Sequence, residues 1–227
     1  MTAPVLDDVL AELAELRDPT FLAVNTRHGD DHAVHLTALR AVAKKFKAQP
    51  DLATALWATD DSAARLLAIL VCRPKQFRRD ELDTMIRQTR TPKVHDWLVG
   101  YVVKKSPHAE ELRVAWLADA DPVVASAGCA LTADRVVRAA KADDLASLDL
   151  DGLLDVIEAE MADAPERLQW AMNTCLAHIG IEDPGRRPRA LAIGERLGVL
   201  RDYPTAPNCT SPYAPTWITE MVRRRQS

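Results

Sequence analysis

The chain has 227 residues, which is enough for one large hydrophobic core or two small ones. Hydrophobic residues make up 48% and charged residues 27%, a balance that excludes a disordered chain. The net charge of −4 argues against a protein that coats nucleic acid indiscriminately. No apolar run is long enough to span a bilayer, and no secretory signal precedes the first helical pattern, so we expect no membrane association and a cytoplasmic location.

Apolar residues recur with the period of an α-helix along almost the whole chain. Aromatic residues are only 5%, and the abundance of Ala and Leu favours helices over strands. Proline before several segments, as in Asp121-Pro122, indicates helix starts, because the N–H that proline lacks would have no partner in the first turn of a helix. The predicted helices are, in chain order, Val5 to Leu13, Leu36 to Phe46, Asp51 to Thr59, Asp61 to Cys72, Asp80 to Arg90, Lys93 to Lys105, His108 to Ala118, Pro122 to Ala140, Leu150 to Ala162, Pro165 to Ile179 and Pro188 to Leu197.

Short connections between these segments predict antiparallel helix pairs. We therefore predict an all-α fold, a HEAT-like helical-repeat solenoid forming a single domain over residues 1–198. Residues 199–227 contain four prolines and then a short amphipathic turn around Trp217, and we predict that this loop and helix cap the same domain. A compact helical bundle is the structural alternative.

Positive charge is concentrated in one part of the chain. Residues 36–106 hold 14 Lys and Arg against 7 Asp and Glu, a net of +7, whereas the rest carries −11. Such a surface is typical of a site that binds phosphates. The alternative is that these side chains form the solvated faces of amphipathic helices. The candidate DNA-binding residues are Arg40, Lys44, Lys47, Arg65, Lys93 and Lys104.

Residue types that bind metals cluster once, where His28, His32 and His35 flank Asp30 and Asp31. Gly29 and the two aspartates favour a solvated loop over a preformed metal site. The four cysteines are far apart and without a Cys-x-x-Cys motif, which is typical of reduced thiols. Phosphate-binding and dinucleotide-binding glycine motifs do not occur in the sequence, so we expect no metal and no cofactor.

Several segments together carry a resemblance to a known family. They are Leu39-Arg40-Ala41-Val42-Ala43-Lys44, Asp51-Leu52-Ala53, Leu56-Trp57, Ala64-Arg65-Leu66-Leu67-Ala68, Lys93-Val94-His95-Asp96-Trp97-Leu98, Gln169-Trp170-Ala171-Met172-Asn173, Ile179-Gly180-Ile181, Arg189-Ala190-Leu191-Ala192-Ile193-Gly194, Asp202-Tyr203-Pro204 and Cys209-Thr210-Ser211-Pro212-Tyr213-Ala214-Pro215. As a set they resemble the HEAT-repeat DNA alkylation repair proteins, the AlkD-like alkylpurine DNA glycosylases. The resemblance implies an α-solenoid whose basic concave face wraps duplex DNA. It also implies excision of cationic bases such as N3-methyladenine and N7-methylguanine without a metal or cofactor.

The resemblance assigns roles to individual residues. Asp96 matches the catalytic aspartate, and Trp170 matches an aromatic residue that lines the site. The sequence departs from the family at three positions: a family tryptophan falls on Pro92, an arginine falls on Asn173, and a second arginine falls on Ala125 or Ser126. Tyr101 is a candidate because it follows Trp97 by one helical turn. The candidate substrate-lining residues are Trp170, Asn173, Tyr101 and Trp57.

Two functions remain open from the sequence. The first is a monomeric DNA-binding repair protein, either a monofunctional alkylpurine DNA glycosylase or a damage binder that does not cut, at the nucleoid of a bacterium. The second is a helical-repeat module that binds a protein partner. The structural alternative for Asp96 is an ion pair with Arg65 or Arg90, and for the tryptophans it is packing in the core.

Overall fold

The computed structural model describes residues 3–46 and 48–226, with residues 3–5 described by their backbone alone. Over these residues the chain forms thirteen α-helices, and its only extended pairing is one bridge between Arg17 and Val34. The contacts cluster into two units, residues 1–110 and residues 111–227. The single domain over residues 1–198 stays a prediction. None of the described helices is long and apolar enough to cross a membrane.

The first unit is built around α5, whose side chains are buried on nearly every face. It packs against α1, α3, α4 and α7. Leu66 and Leu67 are fully buried there, and Asp61 caps its first turn by accepting a hydrogen bond from the Ala64 N–H at 2.9 Å. The helices of this unit are α1 (Ala3–Glu15), α2 (Pro19–Thr26), α3 (Leu36–Lys45), α4 (Pro50–Ala58), α5 (Ser62–Val71), α6 (Arg79–Arg87) and α7 (Pro92–Trp97).

The second unit is organised around α11, which packs against α9, α10, α12 and α13. Its core includes Leu154, Ile157 and Leu176, all without measurable exposure. The helices are α8 (Ala109–Leu117), which begins at the boundary, α9 (Pro122–Lys141), α10 (Leu150–Glu160), α11 (Glu166–Glu182), α12 (Arg187–Leu197) and α13 (Ala214–Gln226).

Three segments differ from the sequence prediction. The helix α2 was not predicted, because it buries no residue and has no apolar stripe; the Asp18 cap and Pro19 start it instead. The predicted helix over Lys93 to Lys105 is α-helical only to Trp97, continues as a π-helical turn over Leu98–Val102, and ends in a 3₁₀ turn over Val103–Lys105.

The C-terminal segment is also longer than predicted. The short turn around Trp217 is in fact the thirteen-residue helix α13. Two glycines allow it to approach closely, since a Cβ on Gly180 would meet the Ile218 side chain at 2.5 Å and one on Gly194 would meet Pro215 at 2.8 Å. This packing against α11 and α12 makes α13 part of the second unit.

Candidate functional site

The N-terminus of α7 is held by a loop from far away in the sequence. Asp30 is buried, and its Oδ1 accepts a hydrogen bond from the Lys93 backbone N–H at 2.8 Å. Gly29, at φ +79°, brings the loop against the Pro92 ring. A carboxylate at this position satisfies a donor of the first turn and complements the helix dipole. The segment is a loop in which His28 and Asp31 are exposed, as the prediction of a solvated loop requires, but Asp30 and His32 are buried and support the helix that carries Asp96.

His32 belongs to the same support. The ring is buried, its Nδ1 lies 3.0 Å from the Val34 carbonyl oxygen, and Asn25 Nδ2 donates to the His32 carbonyl at 2.8 Å. Burial lowers the pKa of His32, while the charges of Asp30 and Asp31 act in the opposite direction. Among the residues that the structure describes, no three His, Cys, Asp or Glu side chains are grouped so that they could hold a metal ion.

Asp96 is the penultimate residue of α7, and its side chain is 67% exposed. His95 beside it is buried, and its Nδ1 lies 3.1 Å from Asp96 Oδ1. The sequence left open an ion pair of Asp96 with Arg65 or Arg90. Both arginines pair with Asp60 instead, each at 2.7 Å. Gly100 follows Asp96 by four residues, and a Cβ there would meet nothing within 4 Å, so the surface beside the carboxylate is open.

Next to Asp96, four side chains form what we call the cation–aromatic row: Arg40, Trp97, Tyr101 and Lys105. Arg40 Cζ lies 5.0 Å from the centre of the Trp97 ring, and Lys105 Nζ lies 5.5 Å from the centre of the Tyr101 ring. The two rings meet edge to face, with centres 5.3 Å apart. These distances are those of cation–π and aromatic contacts. The row therefore presents two cations over aromatic rings, with Tyr101 39% exposed.

The basic side chains of the first unit fall into two groups. Many are neutralised, as Arg17 is by Asp61 and Lys45 is by Glu12. Within residues 3–46 and 48–110, no carboxylate forms an ion pair with Arg40, Lys44, Lys75, Lys93 or Lys105. Arg40 and Lys44 are both exposed and one turn apart on α3, and Lys104 is exposed beside Lys105. Lys47 lies outside the described residues.

Arg65 requires a correction. Its side chain is buried, pairs with Asp60, and donates hydrogen bonds to the carbonyl oxygens of Trp57 and Gln88. The guanidinium lies 5.0 Å from the centre of the Trp57 ring, whose Nε1 donates to Gln88 Oε1 at 2.7 Å. Arg65 thus joins α4, α5 and α6 and cannot reach phosphates on an open surface. Trp57 is mostly buried too, although one edge lines a pocket of about 300 Å³ between α4 and α6.

In the second unit, Trp170 and Asn173 on α11 hold the proline-rich loop that precedes α13. The Trp170 ring meets Tyr203 edge to face at 4.9 Å. Asn173 is 1% exposed, and its Nδ2 donates to the Pro212 carbonyl at 2.8 Å. The prediction that Asn173 lines the substrate site therefore needs correction, because its amide is used within the fold. Trp170 is half-buried and keeps a partly accessible ring.

The family model described as "DNA alkylation repair enzyme" matches residues 9–218. The chain belongs to this DNA alkylation repair enzyme family. A solved structure described as "A new family of proteins related to the HEAT-like repeat DNA glycosylases with affinity for branched DNA structures" matches with a TM-score of 0.74 and 22% identity, over 97% of this chain and 94% of that one. No curated protein matches.

These matches confirm the predicted family and the all-α, HEAT-like helical-repeat fold. In this member of the DNA alkylation repair enzyme family, two of the three departures lie in buried positions, and the third, Pro92, is half-buried. Ala125 and Ser126, where the resemblance led us to expect an arginine, are both buried, and Ser126 Oγ donates to the Val123 carbonyl at 2.7 Å. No cation at either position is available to hold a DNA backbone.

Sequence reasoning missed part of the site of this DNA alkylation repair family member. The core packing considered for Trp97 is confirmed, because its side chain is buried, but its contact with Arg40 was not predicted. Lys105 had no predicted role, and Asp30 was predicted only as part of a solvated loop. One signal was present: Trp97, Tyr101 and Lys105 recur every four residues, which places them on one helical face. The support by Asp30 had no signal, because it joins residues 63 positions apart.

Proposed function

We propose that the protein binds DNA through the surface that contains the cation–aromatic row. The observation that carries the proposal is that Arg40 and Lys105 have aromatic rather than acidic partners. A cation that is already paired with a carboxylate binds a phosphate only weakly. Among the described residues, Arg40 and Lys105 have no such pair and are available to displace counterions from DNA. Tyr101 supplies a partly exposed ring on which an unpaired base could stack.

Family membership supports the same function, and duplex DNA is the proposed ligand. The solved relative is described as having affinity for branched DNA, so branched ligands belong in the test. The experiment measures fluorescence anisotropy of labelled duplex, three-way and four-way DNA with the wild type, Arg40→Ala and Arg138→Ala. Arg138 is the matched control because it is similarly accessible but paired with Asp134 at 2.8 Å.

We expect Arg40→Ala to weaken DNA binding by about threefold to tenfold, since it removes one phosphate contact and one cation–π contact. Arg138→Ala should bind like the wild type, because its charge is already neutralised. If the wild type binds none of the three DNAs, or if both variants weaken binding equally, the proposed surface is wrong.

A second function, hydrolysis of the N-glycosidic bond of cationic alkylated purines, is supported by the exposure of Asp96 beside an aromatic residue. As the bond breaks, its electron pair leaves with the purine, which departs neutral, and positive charge develops at the sugar C1′. A carboxylate near C1′ stabilises that charge. Water then adds to C1′, and Asp96 can accept its proton, with the buried His95 holding the carboxylate in place.

The test incubates duplex DNA containing N7-methylguanine and N3-methyladenine with the wild type, Asp96→Asn and Asp8→Asn, and measures the released bases. Asp8 is an exposed aspartate on α1, so its substitution changes the net charge equally. We expect Asp96→Asn to lower the release rate by about a hundredfold, the usual effect of removing one electrostatic stabiliser, and Asp8→Asn to leave it unchanged. Absence of base release by the wild type would reject the hydrolysis while leaving DNA binding open.

A further inference from the structure

The second unit contains a pocket that the proposed DNA function does not use. It has a volume of about 570 Å³ and lies between the start of α9, the helix α10, the start of α11 and the turn after α8. This volume is within the range of sites that bind ligands in proteins. Its walls are apolar, formed mainly by Leu117, Leu153, Val156, Ile157, Leu168 and Met172. Val156 is 43% exposed, so the apolar surface reaches the solvent.

The helix α10 has two differently charged sides. Residues 143–166, which include it, carry nine Asp and Glu and no Lys or Arg. On one side Asp151 pairs with Arg186, and Asp155 and Glu158 pair with Arg189, so arginines at the start of α12 neutralise the carboxylates. The side that faces the pocket lacks such partners. The one carboxylate of α10 that lines the pocket, Glu160, is exposed and available to another molecule.

Three carboxylates stand at the rim of the pocket: Asp119, Glu160 and Asp163. No Lys or Arg lines the pocket, and among the described residues neither Glu160 nor Asp163 has an ion-pair partner. Residues 111–227 as a whole carry 13 Lys and Arg against 18 Asp and Glu, a net of −5. Phosphates would be repelled from such a rim, so the pocket is distinct in chemistry from the cation–aromatic row.

We propose that this pocket is a docking site for a basic amphipathic segment of a partner protein. An aliphatic side chain of that segment occupies the apolar floor, and flanking lysines or arginines pair with Glu160 and Asp163. An amphipathic helix laid in an apolar groove is a common form of recognition, and the acidic rim selects its sign of charge. The partner class follows from charge complementarity, because an acidic or neutral segment would leave Glu160 and Asp163 unpaired.

The test uses the full protein and three labelled synthetic peptides as probes. The first is an amphipathic helix of Lys, Ala and Leu; the second has Glu in place of every Lys; the third has Ala in place of every Leu. The protein variants are Val156→Arg, which places a long cation at the mouth of the pocket, and Val114→Arg. Val114 is the matched control, since it is a 57% exposed valine of the same unit that does not line the pocket.

We expect the Lys–Leu peptide to bind the wild type with a dissociation constant below roughly a millimolar, and to bind Val156→Arg at least about tenfold more weakly. Val114→Arg should bind like the wild type, and the Glu and Ala peptides should bind at least about tenfold more weakly than the first. Glu160→Gln with Asp163→Asn should weaken binding and reduce its dependence on salt.

Three results would overturn the proposal. One is no binding of the Lys–Leu peptide, and another is equal loss in Val156→Arg and Val114→Arg. The third is a change in the oligomeric state of the protein alone in Val156→Arg, measured by sedimentation, because the pocket would then hold a second copy. DNA binding should be the same in Val156→Arg and the wild type, so failure here is separable from failure of the proposed DNA function.

Discussion

At the scale of single residues, the site depends on which charged side chains are already paired within the fold. Arg40 and Arg65 look alike in the sequence, as exposed-face arginines of amphipathic segments. In the structure Arg40 is exposed and covers the buried Trp97 ring, whereas Arg65 is buried and paired with Asp60. The sequence could predict Asp96 as an accessible carboxylate from the resemblance. It could not predict the burial of Arg65 and Asn173, because that depends on tertiary partners that have no periodic signature.

The buried ring of His32 leads to a pH-dependent stability. Its folded-state pKa is lowered by burial, so the unfolded chain binds the proton more readily. As the pH falls below about 6.5, the free energy of unfolding should decrease, and the loss from this residue should level off below the folded-state pKa. Urea unfolding at about pH 7.5 and pH 5 measures the difference.

His32→Gln removes this titration and should show a smaller decrease between the two pH values than the wild type. His28→Gln, at the exposed histidine of the same loop, should retain the full decrease. An equal decrease in His32→Gln and the wild type would show that His32 does not couple protonation to unfolding.

At the scale of elements, the spacing of apolar residues predicted nearly every helix, because apolar residues recur at the helical period when one face of a helix is buried. The apolar spacing failed to predict the structure where a helix or turn does not depend on burying one face. The helix α2 depends on its cap and its proline, and the π-helical turn over Leu98–Val102 adds a residue to a turn without changing the apolar pattern. That turn begins two residues after Asp96 and contains Tyr101, and π-turns are often found at functional sites.

The support of α7 by Asp30 predicts a stability effect. Asp30→Ala leaves the Lys93 N–H without its acceptor in a partly buried position, so we expect a loss of about 1–2 kcal/mol in the free energy of unfolding. Asp31→Ala, at the exposed neighbour, should change it by less than about 0.5 kcal/mol. Urea unfolding checks both, and equal values for the two variants would show that the cap does not stabilise the helix.

At the scale of the whole molecule, the chain is a helical-repeat protein of the DNA alkylation repair enzyme family, with its charge divided between two units. The first unit carries 16 Lys and Arg against 15 Asp and Glu, and the second carries a net of −5. The sequence could predict the stacked helix pairs and the concentration of positive charge. Which cations remain unpaired could not be read from it, because ion pairs join residues far apart in the chain, as Arg17 and Asp61 do.

The central claim is that cations of the cation–aromatic row bind DNA phosphates, and the salt dependence of DNA affinity tests it most directly. The logarithm of the association constant falls linearly with the logarithm of salt concentration, with a slope of about 0.9 for each phosphate neutralised. We expect Arg40→Ala combined with Lys105→Ala to reduce this slope by nearly two on duplex DNA. The control, Arg138→Ala with Arg196→Ala, removes two arginines paired with Asp134 and Glu158 and should keep the wild-type slope. A wild type whose affinity is independent of salt, or two double variants with the same slope, would contradict the claim.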